Sequence, residues 1–278
     1  MINSSEIKQI AKNKLSGNLG KAYSITAIFI VINLVISYLS TLIQNITVEI
    51  PFIQIVTYII FILITLPISF GFISSIVKLL KGENPSYTNI INDALLNASK
   101  TIGVFFRILL KMLIPSVIVI FICIALFFLI TKIASFTISE YLLIIFSLFI
   151  LAILIIAILS IPYSLSIYAL ANNNKLSAKE AVNQSIDLMN GNKWNFAKLI
   201  ISFSGWLILI SLIILIFEKH TPDIFKMLIE SLGSLLILPY IISSIAVFFD
   251  ELNDVKIEVV NTNENTENSQ NSDNSLEN

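Results

Sequence analysis

Residues 141–171 read YLLIIFSLFI LAILIIAILS IPYSLSIYALA, and this stretch contains no charged residue. A helix needs about 20 apolar residues to cross the core of a bilayer. The apolar residues run continuously instead of alternating with polar ones, which favours a helix over a strand of a membrane barrel. A helix also satisfies its own backbone hydrogen bonds in lipid. The stretch therefore predicts a transmembrane helix that is long enough to tilt.

Five further uncharged stretches are long enough to span a bilayer. They cover residues 22–43, 52–77, 112–131, 199–217 and 233–249. The chain as a whole is 56% apolar and only 13% charged, whereas a soluble domain carries about 25% charged residues. This composition excludes a soluble globular protein and a disordered one. It predicts an all-α polytopic membrane protein with six transmembrane helices.

The lysines and arginines are distributed unevenly between the two sides of these six stretches. Fourteen flank the side that carries both termini, and only Lys132, Lys219 and Lys226 flank the other side. Cytoplasmic flanks of membrane helices carry the excess of Lys and Arg. The sequence therefore predicts a plasma-membrane protein with cytoplasmic N- and C-termini.

A pattern recurs three times along the chain. Pro67, Pro162 and Pro239 lie at equivalent places in the second, fourth and sixth stretches, where we expect helix kinks. An amphipathic segment precedes each odd-numbered stretch, at residues 4–15, 86–96 and 177–189. We interpret these as three tandem units of one amphipathic helix and two spans, over residues 2–80, 84–172 and 177–250. The alternative is that proline is simply common in membrane helices.

The third amphipathic segment has clear helix boundaries. Ser177 and Glu180 have the spacing of a capping box, and Gly191 is placed to end the helix. The first segment ends similarly, with LSGN at 15–18 against MNGN at 189–192. These segments could lie in the membrane interface or pack beneath the bundle, and the sequence leaves both alternatives open.

These residues also resemble a known family. LSAKEA at 176–181, LMNGNK at 188–193 and SFSGW at 202–206 are similar to the signature of a bacterial integral-membrane family, domain-of-unknown-function family 975. The start of the chain and LPY at 238–240 fit the same pattern, so the resemblance covers roughly residues 1–250. It implies a multi-pass plasma-membrane protein with no settled biochemical role. The family is distantly similar to the membrane region beside glycerophosphodiester phosphodiesterase domains, but the phosphodiesterase activity would need a soluble catalytic domain.

The sequence offers little for catalysis. It has one histidine, His220, and one cysteine, Cys123, and no Asp or Glu lies within the six uncharged stretches. Serine, aspartyl and metal-dependent intramembrane proteolysis each need groups that are missing. Neither a P-loop nor a dinucleotide-binding glycine motif is present. We therefore expect no enzymatic activity, no cofactor and no metal.

A few polar side chains are candidates for contacts within or near the membrane. Arg107, Lys111, Lys193 and Lys198 are expected to reach the cytoplasmic headgroups, with a shared site for an anionic lipid or phosphate as the alternative. Asn33 lies midway along the first span. It is expected to form an interhelical hydrogen bond, with a substrate contact as the alternative.

Small residues and one aromatic residue are candidates for helix packing. Gly71 and Ser75 have small-xxx-small spacing, which is typical of close helix contacts. Gly205 and Trp206 are expected to combine a close helix approach with an aromatic filler.

The end of the chain differs from the rest in composition. Residues 250–278 hold eight acids and one base, whereas residues 1–249 hold sixteen bases and ten acids. We predict that residues 251–278 form a disordered acidic tail, rich in Asn and Ser, on the cytoplasmic side.

These features together predict a non-enzymatic membrane protein that acts as a scaffold, an accessory subunit or an envelope-stress component. The alternative is a permease-like protein that uses a cavity between kinked helices for an apolar or lipid-like substrate. Expected partners are the lipid bilayer and a membrane protein or a second copy of the chain. No nucleic-acid partner is expected.

Overall fold

The computed structural model describes residues 3–133, 137–217 and 223–274, with side chains described within 3–132, 137–216 and 226–256. His220 lies outside these ranges. The described residues form ten α-helices and a short 3-10 turn at Ile161–Tyr163. The helices are α1 Ser4–Ser16, α2 Leu19–Ile46, α3 Pro51–Leu80, α4 Asn89–Leu96, α5 Ala98–Ile133, α6 Ile138–Ser160, α7 Ser166–Asn172, α8 Ala178–Met189, α9 Lys193–Phe217 and α10 Asp223–Asn274.

Six helical segments in the described ranges are long and apolar enough to cross a membrane. They are Leu19–Ile46, Pro51–Leu80, Ala98–Lys132, Ile138–Asn172, Lys193–Ile216 and Lys226–Lys256. Every predicted stretch falls within one of them, except that the stretch 199–217 ends one residue later, at the end of α9. The third, α5, begins well before its predicted stretch, so Arg107 and Lys111 belong to the same continuous helix. The prediction of an all-α, multi-pass membrane protein is confirmed.

The three repeated prolines lie inside the second, fourth and sixth spans. Pro67 and Pro239 lie within α3 and α10, and Pro162 lies in the 3-10 turn that separates α6 from α7. A further proline, Pro115, also lies inside a helix, α5. The break at Pro162 follows from the missing N–H and from the clash of the proline ring with the preceding turn.

The amphipathic helices α1, α4 and α8 pack beneath the spans, which decides between the two alternatives for these segments. In α1 the residues Ile7, Ala11 and Leu15 are at most 2% exposed. Their spacing of four residues places them on one face of the helix. Ile90 and Ala94 form the matching face of α4, and Ala181 and Ser185 begin that of α8. The apolar faces point into the protein and not into the membrane interface.

The packing of these three helices repeats around the molecule. Helix α4 packs on α3, α8 packs on α7, and α1 packs on α10. Each amphipathic helix thus covers the returning span of the unit before it, and the first unit covers the last. Because α3, α7 and α10 also contact one another, the arrangement is a closed ring around three central helix ends. The division of the chain into three tandem units stays a prediction.

The residue four positions after each repeated proline is small and buried. These residues are Gly71, Ser166 and Ser243. A Cβ atom on Gly71 would lie 1.9 Å from the carbonyl oxygen of Ile90 in α4. Helix α4 therefore crosses α3 at a distance that only glycine allows. The predicted packing role of Gly71 and Ser75 agrees with the burial of both residues.

The buried core lies at one end of the bundle. We call this end the base, and it consists of α1, α4, α7 and α8 together with the ends of the spans that join them. The central returning helices supply large core side chains, including Phe70, Phe248 and Phe249, each 1% exposed. These residues pack with side chains from α1, α8 and α9 in one apolar cluster. A second cluster joins α1, α2, α3 and α4 through residues such as Phe72 and Ile25. Phe72 also stacks on Phe29 of α2, with ring centroids 4.3 Å apart.

The halves of the spans away from the base are much less buried. Helix α6 contributes no buried side chain, and the buried residues of α2 are Ala22, Ile25 and Thr26, all near its start. In lipid there is no hydrophobic driving force that would bring such apolar surfaces together. Helices α5 and α6 pack mainly on each other here, and the Cys123 thiol approaches the carbonyl oxygen of Leu148 at 3.8 Å. The bundle is therefore consolidated at its base.

The predicted boundary between the membrane domain and the acidic tail is wrong by several residues. Leu252 is 6% exposed, and Gln184 of α8 donates a hydrogen bond to Asn253 at 3.0 Å. Lys256 also pairs with Asp187 at 3.5 Å. Residues 251–256 thus belong to the base, because α10 extends far enough for its apolar and amide groups to reach α8. Beyond Lys256 the backbone of α10 continues to Asn274 through a stretch whose composition is that of a disordered C-terminus.

Local hydrogen bonds explain where α8 begins and ends. The Ser177 backbone N–H donates to Glu180 at 2.7 Å, and the Glu180 N–H donates to the Ser177 hydroxyl at 3.3 Å. The bonds from the Ser177 backbone and hydroxyl hold the pKa of the Glu180 carboxyl below its ordinary value. Gly191 follows the helix with a φ of 79°, a conformation that favours glycine. The similarity with the first segment is in sequence only, because Gly17 has a right-handed φ of −76°.

Candidate functional site

An apolar cleft of about 700 Å³ lies between the first and third units. Its walls come from the end of α1 and the start of α2 on one side and from α9 and α10 on the other. The side chains that line it are Lys12, Leu15, Leu19, Tyr23, Phe203, Trp206, Leu209, Ile210, Ile213, Ile229, Leu232, Gly233, Leu236, Ile237, Pro239 and Tyr240. The repeated proline of α10 is therefore part of the cleft wall. A site of this size and character suits an apolar ligand with a polar end.

Two lysines of α1 lie at the end of the cleft nearest the base. Lys12 lines the cleft directly. The Lys8 ammonium lies 5.3 Å from the ring centroid of Phe203, another lining residue. Because Lys8 and Lys12 are four residues apart, they lie on the same side of α1. The cleft thus has an apolar body and a basic mouth.

Aromatic residues fix the position of this mouth. The Tyr240 hydroxyl donates a hydrogen bond to the backbone carbonyl of Lys8 at 3.2 Å, which ties α10 to α1. The rings of Tyr240 and Phe203 meet edge to face, with centroids 5.5 Å apart. Further along the cleft, Trp206 is 59% exposed and Leu236 is 65% exposed. These exposed walls show that the cleft opens sideways toward the surroundings of the bundle.

A second, polar pocket of about 210 Å³ lies at the base between α3, α4 and the end of α7. Asp93 accepts hydrogen bonds from Ser74 and Lys78, both at 2.7 Å. The side chains of Lys78 and Asp93 are 28% and 14% exposed. Lys81 donates to the carbonyl oxygen of Asn172 at 3.4 Å, which links α3 to α7. The donors and acceptors named here are satisfied by one another, so these contacts serve to join helices.

The four predicted headgroup-contacting cations are all exposed, but they lie on different helices. Arg107 and Lys111 are on α5, and Lys193 and Lys198 are on α9. Helices α5 and α9 do not pack against each other along their length. The Lys198 ammonium lies 5.8 Å from the ring centroid of Trp194 on its own helix. The four cations therefore do not lie on two helices packed together that could form a shared site. That each pair reaches the lipid headgroups stays a prediction.

The predicted interhelical bond of Asn33 is wrong. The Asn33 amide donates to the carbonyl oxygen of Phe29 at 2.8 Å, one turn earlier in the same helix. The half-buried side chain satisfies itself locally, because a backbone carbonyl of its own helix is within reach. Asn33 lines neither the apolar cleft nor the polar pocket.

The predicted close approach at Gly205 is also wrong. A Cβ atom on Gly205 would meet no other atom within 4 Å, and the residue is exposed. The close contact between α9 and α10 occurs instead at Gly233, where an added Cβ would lie 2.7 Å from Ile210 Cδ1. Trp206 lines the apolar cleft and does not fill a core position. The face of α9 that carries Gly205 points away from the packed base, which sequence spacing alone could not reveal.

The arrangement of ionisable groups gives little basis for acid–base or metal chemistry. Within residues 3–133, 137–217 and 223–274, no three or more His, Cys, Asp and Glu side chains are grouped to hold a metal ion. Glu180 is committed to the helix cap, and Asp93 is committed to Lys78 and Ser74. The binding chemistry of the described residues is that of the cleft, which has apolar walls and two ammonium groups.

The sequence carried a signal for the basic mouth that the predictions did not use. Lys8 and Lys12 alternate with Ile7, Ala11 and Leu15 on α1, so the lysines flank the buried face. The predictions counted these lysines only as part of the basic flank. Their position beside a cleft depends on the contact between the first and last units, which spans more than 200 residues of sequence.

Comparison with known proteins yields one match. A family model described as a protein of unknown function, DUF975, matches residues 1–256. No curated protein and no solved structure matches the chain. The more distant similarity to the membrane region beside glycerophosphodiester phosphodiesterase domains stays a prediction. The chain belongs to the DUF975 family.

Proposed function

We propose that the protein is a non-enzymatic scaffold or accessory component of the plasma membrane, with both termini in the cytoplasm. The observation that carries this proposal is the closed apolar core at the base. Phe70, Leu165 and Val247 come from three different returning spans, are at most 1% exposed, and belong to one cluster. Side chains that are packed together in this way leave no polar path through the part of the base that they fill.

The ring of amphipathic helices favours a scaffold role. Helices α1, α4 and α8 lock the three returning spans together from below. A rigid base of this kind would hold the spans in fixed positions and present a polar surface to cytoplasmic partners. The excess of Lys and Arg on the side of the base favours the cytoplasmic orientation. The partner would be another membrane protein or a second copy of the chain.

The lack of catalytic groups in the sequence also supports the proposal. No Asp or Glu lies within the six uncharged stretches, whereas ion-coupled transporters usually carry such groups in their spans along the ion or substrate pathway. An envelope-stress role is one form that an accessory component of this kind could take.

A permease-like role for a lipid-like substrate is the second candidate function. The apolar cleft between α2, α9 and the proline-containing α10 is the observation that favours it. The cleft lies at the side of the bundle and not along its centre, so it suits the binding of a lipid better than passage through the protein.

The test is deletion of the gene in the source organism with two independent readouts. The scaffold proposal predicts that a membrane complex detected on native gels is lost, and that re-expression of the full chain restores it. It also predicts that the lipid composition of each leaflet stays unchanged. An intact set of complexes together with altered leaflet composition would contradict the scaffold role and support the second candidate.

A further inference from the structure

We propose that the apolar cleft is a binding site for an anionic phospholipid of the leaflet that surrounds the base. The acyl chains would occupy the cleft, and the phosphate would lie between the ammonium groups of Lys8 and Lys12. This inference goes beyond the scaffold role and does not depend on it. A stably bound lipid could stabilise a scaffold, and it would be the substrate class of the second candidate function.

The walls of the cleft match an acyl chain. Leu209 and Ile213 of α9 line the cleft together with Leu232 and Leu236 of α10, and Leu19 of α2 lines the end nearest the base. The volume of about 700 Å³ is within the range of about 300–1,000 Å³ that is usual for small-molecule sites. Leu232 and Leu236 are 60% and 65% exposed. A lipid could therefore enter sideways from the bilayer without passing through the protein.

The mouth of the cleft matches an anionic headgroup. In the part of the chain that the structure describes, neither the Lys8 nor the Lys12 ammonium forms an ion pair with a carboxylate. Other lysines of the base differ in this respect, because Lys78 is paired with Asp93 and Lys256 with Asp187. Two unneutralised ammonium groups beside an apolar cleft are complementary to a phosphate that is attached to acyl chains.

The aromatic side chains place this mouth at the depth of the headgroups. Tyr23, Trp206 and Tyr240 all line the cleft. Tyrosine and tryptophan are enriched at the boundary between hydrocarbon and headgroups, because each has an apolar ring and a polar end. The hydroxyl of Tyr240 is held by the Lys8 carbonyl. The same tyrosine thus connects the headgroup-binding helix to the wall that would contact the acyl chains.

The proposal can be tested with the purified full chain in detergent, by native mass spectrometry with phosphatidylglycerol and phosphatidylcholine. The wild-type protein is expected to bind phosphatidylglycerol more tightly. Exchange of Lys8 and Lys12 to Gln should weaken phosphatidylglycerol binding by about 30-fold, since each lysine near an anionic lipid contributes about a fivefold change. The double variant K175Q/K179Q is the matched control, because it removes two exposed cations, also four residues apart, that do not line the cleft, and it should bind as the wild type does.

A second pair of variants tests the apolar body of the cleft. Leu209→Trp would fill the cleft from α9 and should weaken the binding of both lipids. Leu207→Trp is its control, because Leu207 is on the same helix with similar exposure, 51% against 47%, and does not line the cleft. A melting curve without lipid checks that each variant is folded. If K8Q/K12Q is less stable than the wild type, then K12Q alone replaces it, because Lys12 is exposed.

Three outcomes would overturn the proposal. The first is equal affinity of the wild type for the two lipids. The second is an equal loss in K8Q/K12Q and in K175Q/K179Q, which would mean general attraction to a basic surface. The third is unchanged binding in Leu209→Trp. None of these outcomes bears on the scaffold role, which is tested through complexes in cells.

Discussion

Replacing Gly71 by alanine should destabilise the base more than its small volume suggests. The added Cβ would lie 1.9 Å from the Ile90 carbonyl oxygen, 2.9 Å from the Ile90 carbonyl carbon and 3.2 Å from the Ala94 nitrogen. All three are backbone atoms of α4, so no side-chain rotation can relieve the clash. Ordinary contact for a Cβ begins at 3.4 Å. Helix α4 would therefore have to move by roughly 1.5 Å relative to α3, the shortfall at the closest atom.

This displacement would cost about 1–3 kcal/mol, which is the usual range for overpacking a close contact. It would also strain the bonds from Ser74 and Lys78 to Asp93, which join the same two helices. In a chain of this size each kcal/mol corresponds to about 2–4 °C in the midpoint of thermal unfolding. We expect the melting midpoint to fall by about 2–12 °C, measured by intrinsic tryptophan fluorescence of the protein purified in detergent.

Gly205→Ala is the matched control. It is also a helical glycine in a span, but its added Cβ would meet no atom within 4 Å. Alanine is favoured over glycine within a helix by about 1 kcal/mol, so this variant should be as stable as the wild type or slightly more stable. Equal melting midpoints for Gly71→Ala and Gly205→Ala would refute the close crossing of α3 and α4.

Three further predictions concern the polar contacts and the end of the chain. Asp93→Asn should lower the free energy of unfolding by about 1–3 kcal/mol in a denaturant titration, because it leaves the half-buried Lys78 ammonium without its counter-charge. Asp187→Asn is the control: its ion pair with Lys256 is exposed, so its loss should lower the free energy of unfolding by at most about 1 kcal/mol. The lowered pKa of Glu180 stabilises the folded state above the ordinary pKa of a glutamate, and this contribution is lost as the pH falls through the lowered value. Unfolding measured between neutral and acidic pH should therefore be less pH-dependent in Glu180→Gln, and an unchanged pH profile would contradict the cap. Truncation after Lys256 should leave the melting midpoint unchanged, whereas truncation after Asp250 should lower it, since it removes a buried leucine and an amide contact with α8.

Much of the fold follows from the sequence because its signals are local. The six apolar stretches, the capping box of α8 and the positions of the three repeated prolines each depend on residues that are close in sequence. The bilayer narrows the possible structures of the apolar stretches, since only helices and closed barrels can span it. The positive φ of Gly191 belongs to the same class, because a helix end imposes it.

The interactions between distant elements could not be predicted in this way. Tyr240 bonds to Lys8 across most of the chain, and Gly71 is constrained by α4 and not by its own span. The errors at Asn33 and Gly205 have the same origin. A polar or small residue in an apolar helix indicates a contact. The rotation of the helix about its axis decides whether the residue contacts a neighbouring helix, the backbone of its own helix or lipid.

The candidate site was predicted least well for a related reason. The alternative function included a cavity between kinked helices, and one repeated proline does line the cleft. The cations that form its mouth were not selected, because Lys8 and Lys12 look in sequence like ordinary members of a basic flank. Their significance appears only when the first helix is placed against the last span.

The contact between α1 and α10 closes the ring at the base, and photo-crosslinking from position 240 tests it most directly. A photoreactive phenylalanine analogue in place of Tyr240 should crosslink within the chain to a peptide from Ser4–Ser16, because the native hydroxyl lies 3.2 Å from the Lys8 carbonyl oxygen. Crosslinks to α9 are also expected, since Phe203 contacts the same ring. Mass spectrometry of the digested protein from intact membranes identifies the products. Recovery of crosslinks to α9 and to lipid, with none to α1, would contradict the closed base.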